Sequence, residues 1–545
     1  MTYAGAHVAA EVQKPSRIPL PSPWRSFLFL VLAVVSGCHA PSEAGSASGD
    51  SDDADSTTQA DAGSEPGKLS PRDASSADHA APADASAPAR ADSSTRAADA
   101  GTPDQQADAS VGEFDAGAQI GLPAGVTYLF PPPDGVGLCP DPPLRIRFAG
   151  PPTLGGSGKL QIYDKSMALV ASVDMSASTI SDTLGGTAMT LQRQAFVDGN
   201  DAVIRLKNGA LKYGQSYYVT IDAGAIKPPA GDTFSISGTS GWRFSTRAAP
   251  SSTGSLRVAL DGSGDFCSVQ GALDAVPANS SAALVTVAAG LYHEVVHIRG
   301  KNNLTLRGED RKKTIILGTN NNNQNPSTAT RSLVGFDSTN GLVVENLTIH
   351  NLTPQDGSQA EALRLQGCDK CVIRHADILS LQDTLYWSGR VYASDCYVAG
   401  NVDYVWGTGA VYFKECEFHT VGRTGVLVQS RNGPGSSGYV FVDSKLTADA
   451  AAPNNLLARI DASAYPGSHV AFINCEMTNV AAAGWSTTGG ASSALRFWEY
   501  QSHDAAGALL STSGRMAGSS QISSSQATMM RDPSVVLGGW TPPTQ

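Results

Sequence analysis

Charge is scarce in this chain: only 16% of its 545 residues are Asp, Glu, Lys or Arg. The formal balance of −12 is also unevenly spread. Between Pro41 and Ile120 there are 16 acidic residues against 4 basic ones, so the rest of the chain is close to neutral. A neutral body offers no cationic surface to phosphates, which argues against nucleic acid as a partner. Aromatic and branched apolar residues are almost missing from residues 39–122. Such a segment cannot bury enough surface to offset the cost of ordering its backbone, and it reads as a disordered acidic linker. Beyond residue 254 it is helical periodicity that is missing. Cys368-Asp-Lys-Cys371 has the spacing of a metal knuckle, but no second such pair and no His pair accompanies it. The sequence therefore predicts no metal and no cofactor.

Residues 1–38 carry the features of an export signal. Lys14, Arg17 and Arg25 precede an apolar run from Phe27 to Val35 that is too short to span a bilayer. The run ends in Val35-Ser36-Gly37-Cys38, which resembles the bacterial lipobox. That resemblance implies a lipidated Cys38 as the mature N-terminus; the alternative is a plain signal peptide with an incidental cysteine. Anchoring by several acyl chains predicts a membrane partner, since one chain binds only marginally. His39 stands where an inner-membrane retention signal usually has Asp, which points to an outer-membrane or cell-surface lipoprotein, with simple secretion as the alternative. A monomer is expected.

Residues 123–248 show short alternating runs at regular spacing, among them Leu144–Phe148, Lys159–Tyr163, Ala202–Leu206, Ser216–Ile221 and Trp242–Thr246. This is the signature of a small antiparallel sandwich. Its Tyr-x-Val-x-Ile strand and closing Trp-x-Phe-x-Thr strand resemble bacterial Ig-like domains, which implies a spacer or accessory module. Residues 254–541 change again, to short Val/Ile/Leu strands with Asn and Gly turns recurring at roughly 20 to 25 residues. No propeller blade signature is present. The expected fold class is therefore all-β: a sandwich followed by a right-handed parallel β-helix whose rungs stack their inward apolar residues.

Within that last segment, several stretches stand in a telling order. Asp261-Gly-Ser-Gly-Asp-Phe266, Ser268-Val-Gln270, Ala289-Gly-Leu-Tyr-His-Glu-Val295 and Glu345-Asn-Leu-Thr-Ile349 carry no chemistry of their own. Gln359-Ala-Glu-Ala-Leu-Arg364, Gln382-Asp-Thr-Leu-Tyr386, Gly400-Asn-Val-Asp-Tyr-Val-Trp-Gly407, Gln429-Ser-Arg431 and Leu457-Ala-Arg459 follow. Together they resemble the pectin methylesterase family over nearly all of residues 256–540.

Asp383 and Asp403 lie 20 residues apart, about one rung, so a solenoid sets them side by side. Two neighbouring carboxylates cannot both ionise freely, and their pKa values separate into one acid and one anion. The resemblance assigns the roles. Asp403 is expected to attack the ester carbonyl, and Asp383 to protonate the departing methanol and then activate water. Gln359 and Gln382 are expected to donate to the oxyanion, and Arg459 to pair with Asp403. Substrate binding is expected of Tyr386, Trp406 and Arg431. Tyr404 and Trp406, at i and i+2, would share a face on a continuous strand, while Asp403 would not. The implied reaction is removal of methyl esters from pectin.

One departure stands out. Where the family has Gly-Arg-Pro-Trp, this chain reads Ala458-Arg459-Ile460-Asp461, which leaves Tyr465 or Trp485 to replace the sugar-stacking tryptophan. Two other readings follow: an esterase or thioesterase on another acyl substrate, or a non-catalytic β-helix adhesin. A pectate lyase would need a calcium-binding acidic cluster, and the sequence shows none. Of eight cysteines, seven remain once Cys38 is set aside, so at least one is free. Cys396 and Cys416 share the 20-residue spacing of the aspartates and are expected to form a disulfide across adjacent rungs.

Overall fold

The computed structural model describes residues 121–543 apart from residues 194, 232, 279 and 491. The export signal, Cys38 and all but the end of the acidic linker lie outside the described residues. The first part is a β-sandwich. A four-stranded sheet ordered Val126–Phe130, Leu144–Phe148, Asp201–Ile204, Ala195–Asp198 faces a five-stranded sheet ordered Gly135–Leu138, Arg243–Thr246, Ser216–Ile221, Lys159–Asp164, Leu169–Asp174. Alternation puts Leu144, Ile146, Phe148, Leu160, Ile162 and Val219 into one buried core around Trp242. The Trp242 indole N–H donates to the Pro131 carbonyl at 2.8 Å, so its polar tip is satisfied.

The second part is a parallel β-helix of three ladders. One ladder runs through Val296–Arg299, Val334–Asp337, Leu363–Arg374, Leu385–Ser394, Val405–Gly407, Val426–Ser430, Leu456–Asp461 and Trp485–Thr488. A second runs through Leu304–Gly308, Val343–Glu345, the ends of the two long strands, Ala410–Lys414, Tyr439–Val442, His469–Ile473 and Arg496–Tyr500. The third holds eight strands from Gly290–His293 to Glu476–Met477.

From Val343–Glu345 onward, each rung leaves the second ladder through a residue with positive φ: Asn346, His375, Asp395, Glu415, Asp443, Asn474 and Gln501. Most are Asn or Asp, whose short polar side chains tolerate the left-handed region better than other non-glycine residues. Inward residues stack by type. Trp387, Phe413, Phe441 and Phe472 form a ladder with successive ring centroids 5.3, 4.8 and 4.5 Å apart. Rungs at His375, Asp395 and Glu415 repeat every 20 residues, and later rungs lengthen by outward loops.

The opening motifs explain themselves here. Ser268 caps the short helix Val269–Ala275, and the Glu294 carboxylate accepts from the Val269 and Gln270 amides at 3.0 Å each. A disulfide between Cys139 and Cys267 ties the sandwich to this turn, and Asp141 beside it accepts from the Cys267 and Ser268 amides.

The expected disulfide between Cys396 and Cys416 is not formed. Both are free and buried, at 2% and 1% exposure, as are Cys368, Cys371 and Cys475. The rungs are in register from Tyr397 opposite Glu417 onward, which puts the two cysteines level with each other. Side chains level on parallel strands point the same way, about 4.8 Å apart, whereas a disulfide needs Cβ atoms roughly 3.8 Å apart. A 20-residue spacing meets the Cα separation a disulfide needs but not its Cβ geometry.

Candidate active site

Carried back two residues, the register Leu363–Leu385–Val405 places Glu361, Asp383 and Asp403 in one column on three successive rungs. Hydrogen bonds from the Ala362 amide to Thr384 O at 2.9 Å and from the Asp383 amide to Val402 O at 3.0 Å fix that alignment. Both aspartates hold positive φ, 65° and 47°, at the turn into their strands. Asp tolerates this left-handed conformation, as at the other rung corners of the coil. Gly400 makes room for this turn, because a Cβ there would lie 2.2 Å from Tyr404 Cβ.

The three carboxylates are neutralised unequally. Asp403, 7% exposed, takes Arg459 Nε at 2.9 Å and Nη2 at 2.6 Å, and Gln429 Nε2 at 3.1 Å. Glu361, fully buried, takes Arg331 Nε at 3.0 Å on each oxygen and Nη2 at 2.8 Å. Asp383, 8% exposed, receives among the described residues only Arg331 Nη2, at 3.0 Å. Burial above all, then the neighbouring Glu361, pushes the Asp383 carboxyl well above its ordinary value, against the pull of Arg331. Arg331 also reaches Asn322 Oδ1, at 3.3 Å, and the Asn322 amide donates to Gln359 O at 3.0 Å.

Outward positions on the strands form a second column, in register: Arg364, Tyr386, Trp406, Gln429, with Arg459 next. Tyr386 and Trp406 meet edge to face at 4.5 Å between centroids, and the Arg431 guanidinium lies 4.7 Å over Trp406. Arg431 also donates from Nε to Gln429 Oε1 at 2.7 Å. The Trp406 indole N–H is buried without a hydrogen-bond partner among the described residues. Trp406 thus faces the site and Tyr404 does not. Tyr404 is 1% exposed in the core, with its hydroxyl 3.2 Å from Thr420 Oγ1. The strand begins only at Val405, so alternation does not extend back to residue 404.

Gln359 and Gln382 sit one rung apart, the Ala360 amide donating to Gln382 O at 3.2 Å. The Gln359 side-chain carbonyl accepts from the Ser358 hydroxyl at 3.2 Å, and among the described residues its NH₂ group has no acceptor. Of the two aromatic substitutes, Trp485 is core: it is 2% exposed and stacks on Phe497 at 4.8 Å. Tyr465 is at the site, with Arg431 5.5 Å over its ring. Asp461 brings it there, because its carboxylate accepts from the Ser463 and Ala464 amides and its carbonyl from the Tyr465 amide, closing a tight turn. Sequence reasoning missed Arg331 and Glu361. Glu361 stood in plain view at the open position of Gln-Ala-x-Ala-Leu-Arg, whereas Arg331 lies in a loop with no period to mark it.

Among the described residues, one group of potential metal ligands converges elsewhere, Cys139, Asp141 and Cys267, but its two sulfurs are joined in the disulfide.

Residues 255–533 match the family model described as Pectinesterase. Pectinesterase 31 of Arabidopsis thaliana is 31% identical over 205 residues, which cover 35% of this chain and 64% of that protein. Probable pectinesterase 56 of the same organism is 36% identical over 202 residues, covering 35% and 69%. The chain thus spans about two thirds of the length of these curated relatives. The solved pectin methylesterase from carrot is 28% identical, with a TM-score of 0.48 over 52% of this chain and 93% of that one. Through residues 255–533, the chain belongs to the pectinesterase family.

Proposed function

We propose that this protein hydrolyses the methyl esters of pectin, releasing methanol, with Asp403 as nucleophile and Asp383 as acid and then base. The unequal pairing of the two aspartates carries this reading. The Arg459 fork and the Gln429 amide favour the carboxylate form of Asp403, which attacks the ester carbon. The NH₂ groups of Gln359 and Gln382 receive the charge that develops on the carbonyl oxygen, each worth about 10² in rate. Asp383, protonated by its surroundings, gives its proton to the methoxy oxygen as the C–O bond breaks, leaving an acyl-Asp403 intermediate. The Asp383 carboxylate so formed draws a proton from water, which attacks the acyl carbon. Free Asp403 and protonated Asp383 return.

Tyr386, Trp406 and Tyr465 supply apolar ring area for the sugar, and Arg431 a cation suited to a neighbouring uronate carboxylate. Methanol release from highly methylated pectin, set against release from an acyl thioester, tests the substrate. Turnover of the thioester alone would replace this reading by the thioesterase one.

We further propose that the chain is exported and works as a monomer, held at the cell surface through Cys38, with the sandwich as an Ig-like spacer. Cys38→Ser should move the protein from the detergent phase to the soluble fraction with its activity on soluble pectin kept. Unaltered partition would remove the anchor, and a dimer mass in light scattering would remove the monomer.

A further inference from the structure

Arg331 and Glu361 lie outside the machinery just described, yet both touch it. Asp383 is the middle member of the carboxylate column, with Glu361 one rung before it and Asp403 one rung after. Each flanking carboxylate has a guanidinium of its own, whereas Asp383 has one contact from an arginine already engaged. Arg331 makes three contacts with Glu361 and one with Asp383, through the same Nη2 that also serves Glu361 Oε1. Were Glu361 uncharged, that guanidinium would be free to turn its fork on Asp383, as Arg459 does on Asp403, and would hold it ionised.

We propose that Glu361 is a positioning residue that keeps Asp383 an acid, by drawing Arg331 away from it and by placing a second buried negative charge beside it. This rests on the acid role given to Asp383 above. The other charged or titratable groups facing Asp383 are Asp403 from the following rung and Arg431 beyond it, while Tyr386 faces Arg331. The raised Asp383 carboxyl agrees with this arrangement, Glu361 being the largest contributor after burial itself. The consequence is functional. A proton donor to methoxide must still be protonated at the working pH, so Glu361 extends activity towards neutral and alkaline pH.

Glu361→Gln keeps the shape and removes the charge. The falling alkaline limb of the kcat profile on methyl-esterified polygalacturonate should move to lower pH by about one unit or more, with KM little changed. A merely structural role would lower kcat and leave the limb in place. The protonated-carboxyl infrared band of Asp383, isolated by difference against Asp383→Asn, should lose intensity at a correspondingly lower pH. That second readout needs no turnover, so it stands even if wild-type protein proves inactive on pectin, a result that would sink the proposed function alone. If Glu361→Gln does not fold, a smaller shift in the same direction, from loss of the charge alone, is expected between Arg331→Gln and Arg331→Gln/Glu361→Gln. A limb and a band midpoint unmoved by loss of Glu361 would overturn the proposal.

Discussion

At the scale of residues, the site is a problem in sharing positive charge. Asp403 takes a whole guanidinium fork while Asp383 takes the edge of one, and both lie in left-handed turns. The sign of the consequence for stability follows from the direction of the shift. A buried carboxyl whose folded pKa is raised favours the native state while protonated, and that contribution is lost as pH rises through the folded value. Asp383→Asn should therefore lose nearly all ester hydrolysis yet melt above wild type at pH 8, the gap closing towards pH 4. Thermal melts across that range check it; a variant that melts below wild type at pH 8 would mean that Asp383 contributes its charge to the fold. That Asp383, Asp403 and Arg459 come together was legible in the sequence because each falls in a motif whose neighbours are fixed by the turn. Arg331 was not legible, since nothing periodic surrounds it and its two partners lie 30 and 52 residues away.

At the scale of elements, strands and corners were legible because each rung repeats one demand: inward apolar residues, then a residue that accepts positive φ. Exact strand starts and Cβ directions were not legible. Trp406 reaches the site because its strand begins at Val405, a boundary that alternation alone does not mark. Cys396 and Cys416 stay reduced because level side chains on parallel strands stack rather than face each other. Peptide mapping of natively exported protein without reduction should recover Cys368, Cys371, Cys396, Cys416 and Cys475 as free thiols and Cys139 joined to Cys267. A peptide linking Cys396 to Cys416 would contradict the rung geometry.

At the scale of the molecule, the described residues form a β-helix with a column of acids along one face and a sandwich tied to its first turn by a disulfide. The Cys139–Cys267 bond closes 128 residues of sequence, a separation too long for spacing to suggest it. In the chain-entropy account a loop of that length is worth roughly 5 kcal/mol. That residues 255–533 belong to the pectinesterase family was legible from motif order, since β-helix stacking alone fits many proteins; the column of acids carries the reaction proposed for it. The most direct test of that claim is methanol release from highly methylated pectin by wild-type and Asp403→Asn protein, with circular dichroism to verify folding. The account predicts steady release by wild type, undiminished by exhaustive chelation, and release by folded Asp403→Asn below about 1% of it, a loss in keeping with removal of a nucleophile. Substantial methanol release by the folded variant would contradict it.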